Sequence, residues 1–233
     1  MGSPYDIVYI LKSDAAPDEL RYSLRSVEEN MSYRKVWFVC GKPNGLEPDG
    51  YMPMIQTGSS KWDRTKSSLI AVCKNDEISK KFWLFNDDFY VLKPNKSIKP
   101  YYRGIIKDHV LAIERKRNGR ASSYSNQLKA CDEYLHRAGY TTLDYALHLP
   151  MLVERAKMIE AINMFPNCPM FRSLYGNYAN IGGTYHKDVK VADPAREINP
   201  DLDFLSSNDK SFQGKLGQFL AERFPEPSRF EVR

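Results

Sequence analysis

Three short stretches, YDIVYIL (5–11), KVWFVC (35–40) and KFWLF (81–85), are apolar at consecutive rather than alternating positions. A strand of that kind has both faces covered, as in the centre of a parallel sheet packed between helices. The segments between them supply the helices. In SDAAPDELRYSLRSVEEN, Pro17 suits a first helical turn beside Asp18 and Glu19, and Leu20, Leu24 and Val27 recur at helical spacing. A second helical pattern runs over 62–80 through Leu69, Ile70, Val72 and Cys73, and MIQTG (54–58) reads as a short strand. The alternation predicts an α/β fold with a mostly parallel, Rossmann-like sheet.

Beyond Pro94 the pattern turns helical. Helices are expected over 104–117, 122–138, 149–163 with Pro150 in the first turn, and 209–224, where Gly214 and Gly217 weaken the signal. Residues 171–193 read as loops with one strand. Residues 1–100 thus form an α/β half and 101–233 a helical C-terminal half of one compact unit.

Composition narrows the function classes. A chain of 233 residues that is 42% hydrophobic and 27% charged has a real core. It contains no apolar run near the roughly 20 residues of a membrane span. The first residues lack a basic-then-apolar leader, so a cytoplasmic location is expected. Cys40, Cys73, Cys131 and Cys168 never form a C-x-x-C pair, which argues against a zinc knuckle and for small buried hydrophobes. The net charge of +5 fits a plain basic surface, a nucleic acid or a phosphate-rich small molecule.

The chemistry concentrates in FWLFNDDFYVLKP (82–94), where an apolar strand runs into Asn86, Asp87 and Asp88. Open α/β sheets bind ligands beyond the carboxyl ends of their strands, and the acidic pair lies at such an end. Two carboxylates there suit Mn²⁺ or Mg²⁺, which keeps several waters and bridges to phosphates. The alternative is structural, with one aspartate capping a turn and the other paired to a lysine such as Lys93. In an extended chain Asn86 and Asp88 share a face, so Asp88 is the expected metal ligand, with Asp87 toward the nucleotide or a supporting partner. Arg64 and Lys66 open the second helix, a position that favours phosphate. His148, between Leu147 and Leu149, is a candidate general base or a core histidine, while His109 and His136 are expected at the surface.

DELRYSLRSVEEN (18–30) and FWLFNDDFYVLKP together resemble the Stealth-type sugar-phosphate transferases and related GT-A-like glycosyltransferases. LHLPMLVERAKMIEAINMFP (147–166) and MFRSLYGNY (170–178) look like a third segment of that group. The ending FLSSNDKSFQGKLGQFLAERFPEPSRFE (204–231) resembles phage- and prophage-encoded transferases. The resemblance implies a GT-A-like fold, a nucleotide-activated sugar donor, UDP-linked in the simplest case, and Mn²⁺ or Mg²⁺. It implies metal and diphosphate binding by Asp87 and Asp88, a histidine near the reacting group at His148, and a phosphate contact at Arg172. A late metal or diphosphate ligand is implied at His186. Asp6, Arg21, Ser23 and Arg25 correspond to residues near the nucleotide pocket, although Arg21 and Arg25 could equally pair with Glu28, Glu29 or Asp18 on a solvated face.

Two departures bear on the reaction. The opening motif reads DIVYILKSD instead of continuing through Trp-Val-Asp, and WDRTKSS (62–68) replaces the group's usual segment. The altered first motif, with a length shorter than is usual in that group, favours a metal-dependent glycosyltransferase, whereas the Stealth resemblance itself favours the alternative, sugar-1-phosphate transfer. The expected acceptor is a glycan or lipid-linked glycan, with a modified phage DNA base as the alternative. The rival from another class is a non-catalytic nucleic-acid-binding protein that uses the basic residues Lys107, Arg115, Lys116, Arg117 and Arg120.

Overall fold

The computed structural model describes residues 4–58, 60–94 and 98–232. Strand β1 (Asp6–Leu11) is followed by helix α1 (Pro17–Asn30), then β2 (Val36–Cys40), β3 (Gly50–Met52), α2 (Lys61–Lys74) and β4 (Lys81–Phe85). The four strands lie in the order β3-β2-β1-β4 and are all parallel. The chain therefore steps outward from β1 on one side and returns to the other for β4. That reversal places a crevice beyond the carboxyl ends of β1 and β4, where open α/β sheets take their ligands.

Consecutive apolar residues feed two cores. Ile7, Tyr9 and Leu11 of β1 meet Leu20, Leu24 and Val27 of α1 on one face. Val8 turns to the other face with Leu69, Val72 and Cys73 of α2. Helix α2 begins in a capping box in which Ser60 and Asp63 satisfy each other's backbone amides, and it ends at Asn75, whose side chain accepts from Glu77 N. The helix is thus shorter than the 62–80 expected, because Asn75 diverts the backbone into a turn. The expected strand at 54–58 is displaced to 50–52, next to β2.

After a turn at Asn86–Asp88 come β5 (Phe89–Val91), β6 (Tyr101–Tyr102), α3 (Ile106–Lys116) and α4 (Ser123–Arg137). Then follow β7 (Met151–Glu154), α5 (Arg155–Met164) and α6 (Phe171–Tyr178). β7 replaces the first turn of the helix expected over 149–163. Met151 and Val153 are buried while Leu152 and Glu154 are half-exposed, the alternation of an edge strand rather than a helix face. β7 adds antiparallel to β4, with Glu154 opposite Lys81 and their charged groups 3.4 Å apart. α6 is likewise a helix where loops were expected, and its Phe171 and Tyr175 join the core of β1, β4 and α2.

The last elements are β8 (Thr184–Tyr185), paired with β6, and β9 (Phe204–Ser206), paired with β5. Helices α7 (Asp209–Phe212) and α8 (Lys215–Arg223) divide the expected C-terminal helix at Gly214. All four cysteines are buried and unpaired.

Two sequence-based site expectations are met by structural roles instead. Asp6, at the amino end of β1, is fully buried and accepts from Arg34 (2.6 and 2.8 Å), Trp37 Nε1 (3.1 Å) and Ser79 N (2.9 Å). It closes the end of the sheet opposite the crevice and has no path to a nucleotide there. Arg25 grips Glu231 through two nitrogens, at 2.7 and 2.8 Å, and donates to Phe224 O, while Arg21 Nε lies 3.3 Å from the same carboxylate. The two arginines thus tie the C-terminal segment to α1 and take neither the nucleotide nor Glu28, Glu29 or Asp18.

Asp6→Ala leaves the Trp37 indole N–H and the Ser79 amide without their acceptor and frees the exposed Arg34 guanidinium to solvent. Urea unfolding should show a loss of about 1–3 kcal/mol, the cost of a buried donor left unsatisfied, with ligand affinity in the folded fraction unchanged.

Candidate active site

A cleft of about 970 Å³ opens beyond the carboxyl ends of the parallel strands, within the range of small-molecule sites. Its floor is the end of β1 with Lys12, Ser13 and Asp14, joined by Cys40 of β2 and Phe85–Asp87 after β4. One wall is Met54–Gln56 and the first turn of α2. The other combines Tyr124 of α4, residues 146–148 ahead of β7, and residues 169–172 at the start of α6. Gly41 permits this floor, since a Cβ there would fall 1.8 Å from Lys12 O.

The acidic pair does not continue a strand. Asn86–Asp88 is a turn, closed by Phe89 N donating to Asn86 O. The turn separates the two carboxylates in the sense opposite to that expected from extended geometry. Asp87 lines the cleft. Asp88 points inward, where Lys190 Nζ (2.9 Å) and Ser206 Oγ (3.1 Å) donate to its Oδ2. Asp88 Oδ1 is buried and has no hydrogen-bond partner. Burial, then the charge of Asp88, raises the Asp87 carboxyl, against its own backbone amide, Lys12 and Lys190. Burial likewise raises Glu19, with Asp88 and Asp87 adding to it against the hydrogen bond from Ser207.

Helix α1 holds this turn from beneath. Ser23 Oγ bonds Tyr9 OH and donates to Phe89 O, Ser26 Oγ accepts from Val91 N, and Asn30 Nδ2 donates to Val91 O. Ser23 is therefore a buried brace for β5 and not a pocket residue.

Across the cleft, His148 is oriented by Asp188. Its Nδ1 lies 3.0 Å from both carboxylate oxygens, and its backbone N–H donates to Oδ1 at 3.2 Å. Arg103 approaches the same carboxylate at 3.4 Å. Burial would raise the Asp188 carboxyl, yet the hydrogen bond and charge of His148, with Arg103, bring it down to about 2. An ionised acceptor at Nδ1 fixes the proton there and leaves Nε2 as the free ring nitrogen.

Arg172 also lines the cleft. It donates to Leu149 O (2.7 Å) and Leu84 O (3.3 Å), joining the ends of β7 and β4, and lies 5.3 Å from the centroid of Phe89. Burial lowers it to about 10 against the pull of Asp88, so it stays charged at neutral pH. Arg64 faces the cleft, whereas Lys66 turns away to donate to Pro166 O. His186 is not brought to the cleft: its Nδ1 meets Lys187 O and its ring lies against Tyr101. His109, expected at the surface, is instead bonded to the buried Asp144 at 2.6 Å.

Among the described residues no group of three or more His, Cys, Asp or Glu side chains forms a ready-made metal site. A cation that arrives with a diphosphate needs only one or two carboxylates from the protein. Asp87 at the cleft, its carboxyl raised by burial and then by the charge of Asp88, and the unpartnered Asp88 Oδ1 fit such a cation.

Asp188, Lys190, Lys12 and the serine pair 206–207 were not singled out from the sequence. HKDVKVAD did carry a signal, since Asp188 and Lys190 stand two apart and share one face of an extended segment.

No family model matches the chain, and no curated protein sequence does. Solved structures similar to it include two of LgtC. One is an active-site mutant (TM-score 0.46), and the other is the galactosyltransferase LgtC in complex with donor and acceptor sugar analogs (TM-score 0.47). Each is 11% identical and covers 96% of this chain and 98% of the other. No helix among the described residues is long and apolar enough to cross a membrane.

The depressed Asp188 carboxyl favours the folded state in full above the ordinary carboxylate range, and this is lost as pH falls from about 4 to about 2. Asp188→Asn should be less stable than the parent by about 2 kcal/mol at pH 5, and the gap should close by about pH 2 in denaturant titrations.

Proposed function

We propose that the protein is a divalent-cation-dependent glycosyltransferase that uses a nucleotide-activated sugar, UDP-linked in the simplest case. The observation that carries the reading is that Asp87 and a His148 oriented by Asp188 line one cleft at the switch point of a parallel sheet. The motif resemblance of the acidic turn and of α1 to nucleotide-sugar transferases supports the same reading.

In this reading Lys12, Arg64 and Arg172 contact donor phosphate. Asp87, with Asp88 Oδ1 behind it, would hold Mn²⁺ or Mg²⁺, which would supply positive charge to neutralise the departing diphosphate. His148 Nε2 takes the proton of the acceptor hydroxyl as its oxygen bonds to the anomeric carbon. The bond from that carbon to the diphosphate oxygen breaks, and its electron pair leaves on the nucleoside diphosphate. Asp188 stabilises the imidazolium that results, as a buried carboxylate does beside a histidine base. The acceptor is a glycan hydroxyl, free or lipid-linked.

Incubation with labelled UDP-sugars and Mn²⁺, followed by identification of the released nucleotide, tests the proposal. UDP is expected. UMP would mean sugar-phosphate transfer, and no release or Mn²⁺-dependent thermal shift with any nucleotide sugar would overturn transferase function. His148→Ala should lower turnover about 10²–10⁴-fold with donor affinity retained. Asp87→Asn should remove the Mn²⁺-dependent part of donor binding, measured by calorimetry.

A further inference from the structure

The basic residues of 115–120 are not absorbed by the cleft chemistry, yet the fold brings them to its mouth. Helices α3 and α4 pack on each other as a hairpin. Its tip reverses through Asn118 (φ 54°) and Gly119 (φ 79°), two successive left-handed residues. Arg115, Lys116, Arg117 and Arg120 are exposed around that tip. The nearby acids are already committed, Glu114 to Lys129 and Glu133 to Arg137.

Tyr124, four residues past Arg120, lines the cleft, and its ring lies near-parallel to that of Trp62, with centroids 6.5 Å apart. Trp62 is flanked in α2 by Lys61 and Arg64, also exposed and without a carboxylate partner among the described residues. One basic rim therefore runs from α2 across the cleft mouth to the hairpin tip. Its six cations exceed the net charge of the whole chain, +5. Ile55 stands on the same cleft wall as α2 and is 87% exposed, the largest such value among the exposed large hydrophobic side chains.

We propose that this rim seats the protein on an anionic lipid surface, with the cleft mouth facing the bilayer. Unpaired lysines and arginines near such a surface are attracted by anionic headgroups, and an exposed aliphatic side chain inserts at the interface. Charge alone would serve duplex DNA as well, but a projecting isoleucine gains nothing from phosphates in water. The proposal deepens the transferase reading by assigning the acceptor to the lipid-linked class, and it rests on that reading only for this assignment.

Sedimentation with vesicles tests it, using phosphatidylcholine alone and with roughly 30% phosphatidylglycerol, an anionic content that creates the surface potential. The full chain should bind the anionic vesicles only, and less as salt rises. Each cation removed should weaken binding about fivefold, so R115A/K116A/R117A/R120A should lose nearly three orders of magnitude while its melting temperature is retained. Ile55→Ser should weaken vesicle binding at high salt, where the apolar contact dominates. Equal binding to both vesicles, no binding, or an unaffected quadruple variant would overturn the proposal. So would a short DNA duplex that displaces the protein from vesicles at concentrations below those of lipid. Mn²⁺-dependent UDP-sugar binding, measured without vesicles, reports on the transferase reading separately.

Discussion

Everything about the cleft depends on how the chain compensates the carboxylate of Asp88. The residue follows a strand buried on both faces, where an uncompensated charge would cost several kcal/mol. Lys190 and Ser206 supply the compensation, and they come from segments that begin 100 residues later. Because those two groups hold one aspartate inward, the turn presents the other outward. The cleft-facing carboxylate of Asp87 is thus a product of the inward-held one.

The same logic orders the opposite wall. His148 is useful as a base only if one ring nitrogen is committed, and Asp188 commits it. Asp188 and Lys190 stand on one extended segment, two residues apart. That short stretch therefore directs a cation at Asp88 and a carboxylate at His148. The arrangement couples two groups with different chemistry to a single piece of backbone.

The sheet was legible because its evidence is local. Runs such as VWFVC state their own burial, and Pro17 and Leu20–Leu24 state a helix and its buried face. β7 was missed because Pro150 and the following periodicity suit a helix start equally well, and only the free edge of β4 decides between them. At the site, the acidic pair and His148 could be singled out from residue type and position, and Arg172 from the motif resemblance. Which aspartate faces the cleft could not, since that depends on a lysine and a serine distant in sequence. Asp6, Arg21 and Arg25 failed for the same reason: the partners that claim them, Arg34, Trp37 and Glu231, are set by tertiary contacts.

The grip of Arg21 and Arg25 on Glu231 has a kinetic side. On the ribosome the parallel strands can begin to pair once β4 has emerged, but Asp88 then has no lysine and α1 has no anchored tail. The most stable early arrangement of that nascent sheet lacks its charge balance and exposes the edge that β7 later covers. Until β7 pairs, that free edge of β4 is a template for intermolecular strand pairing. The contacts of Arg21 and Arg25 with Glu231 form only once that distant segment is in place.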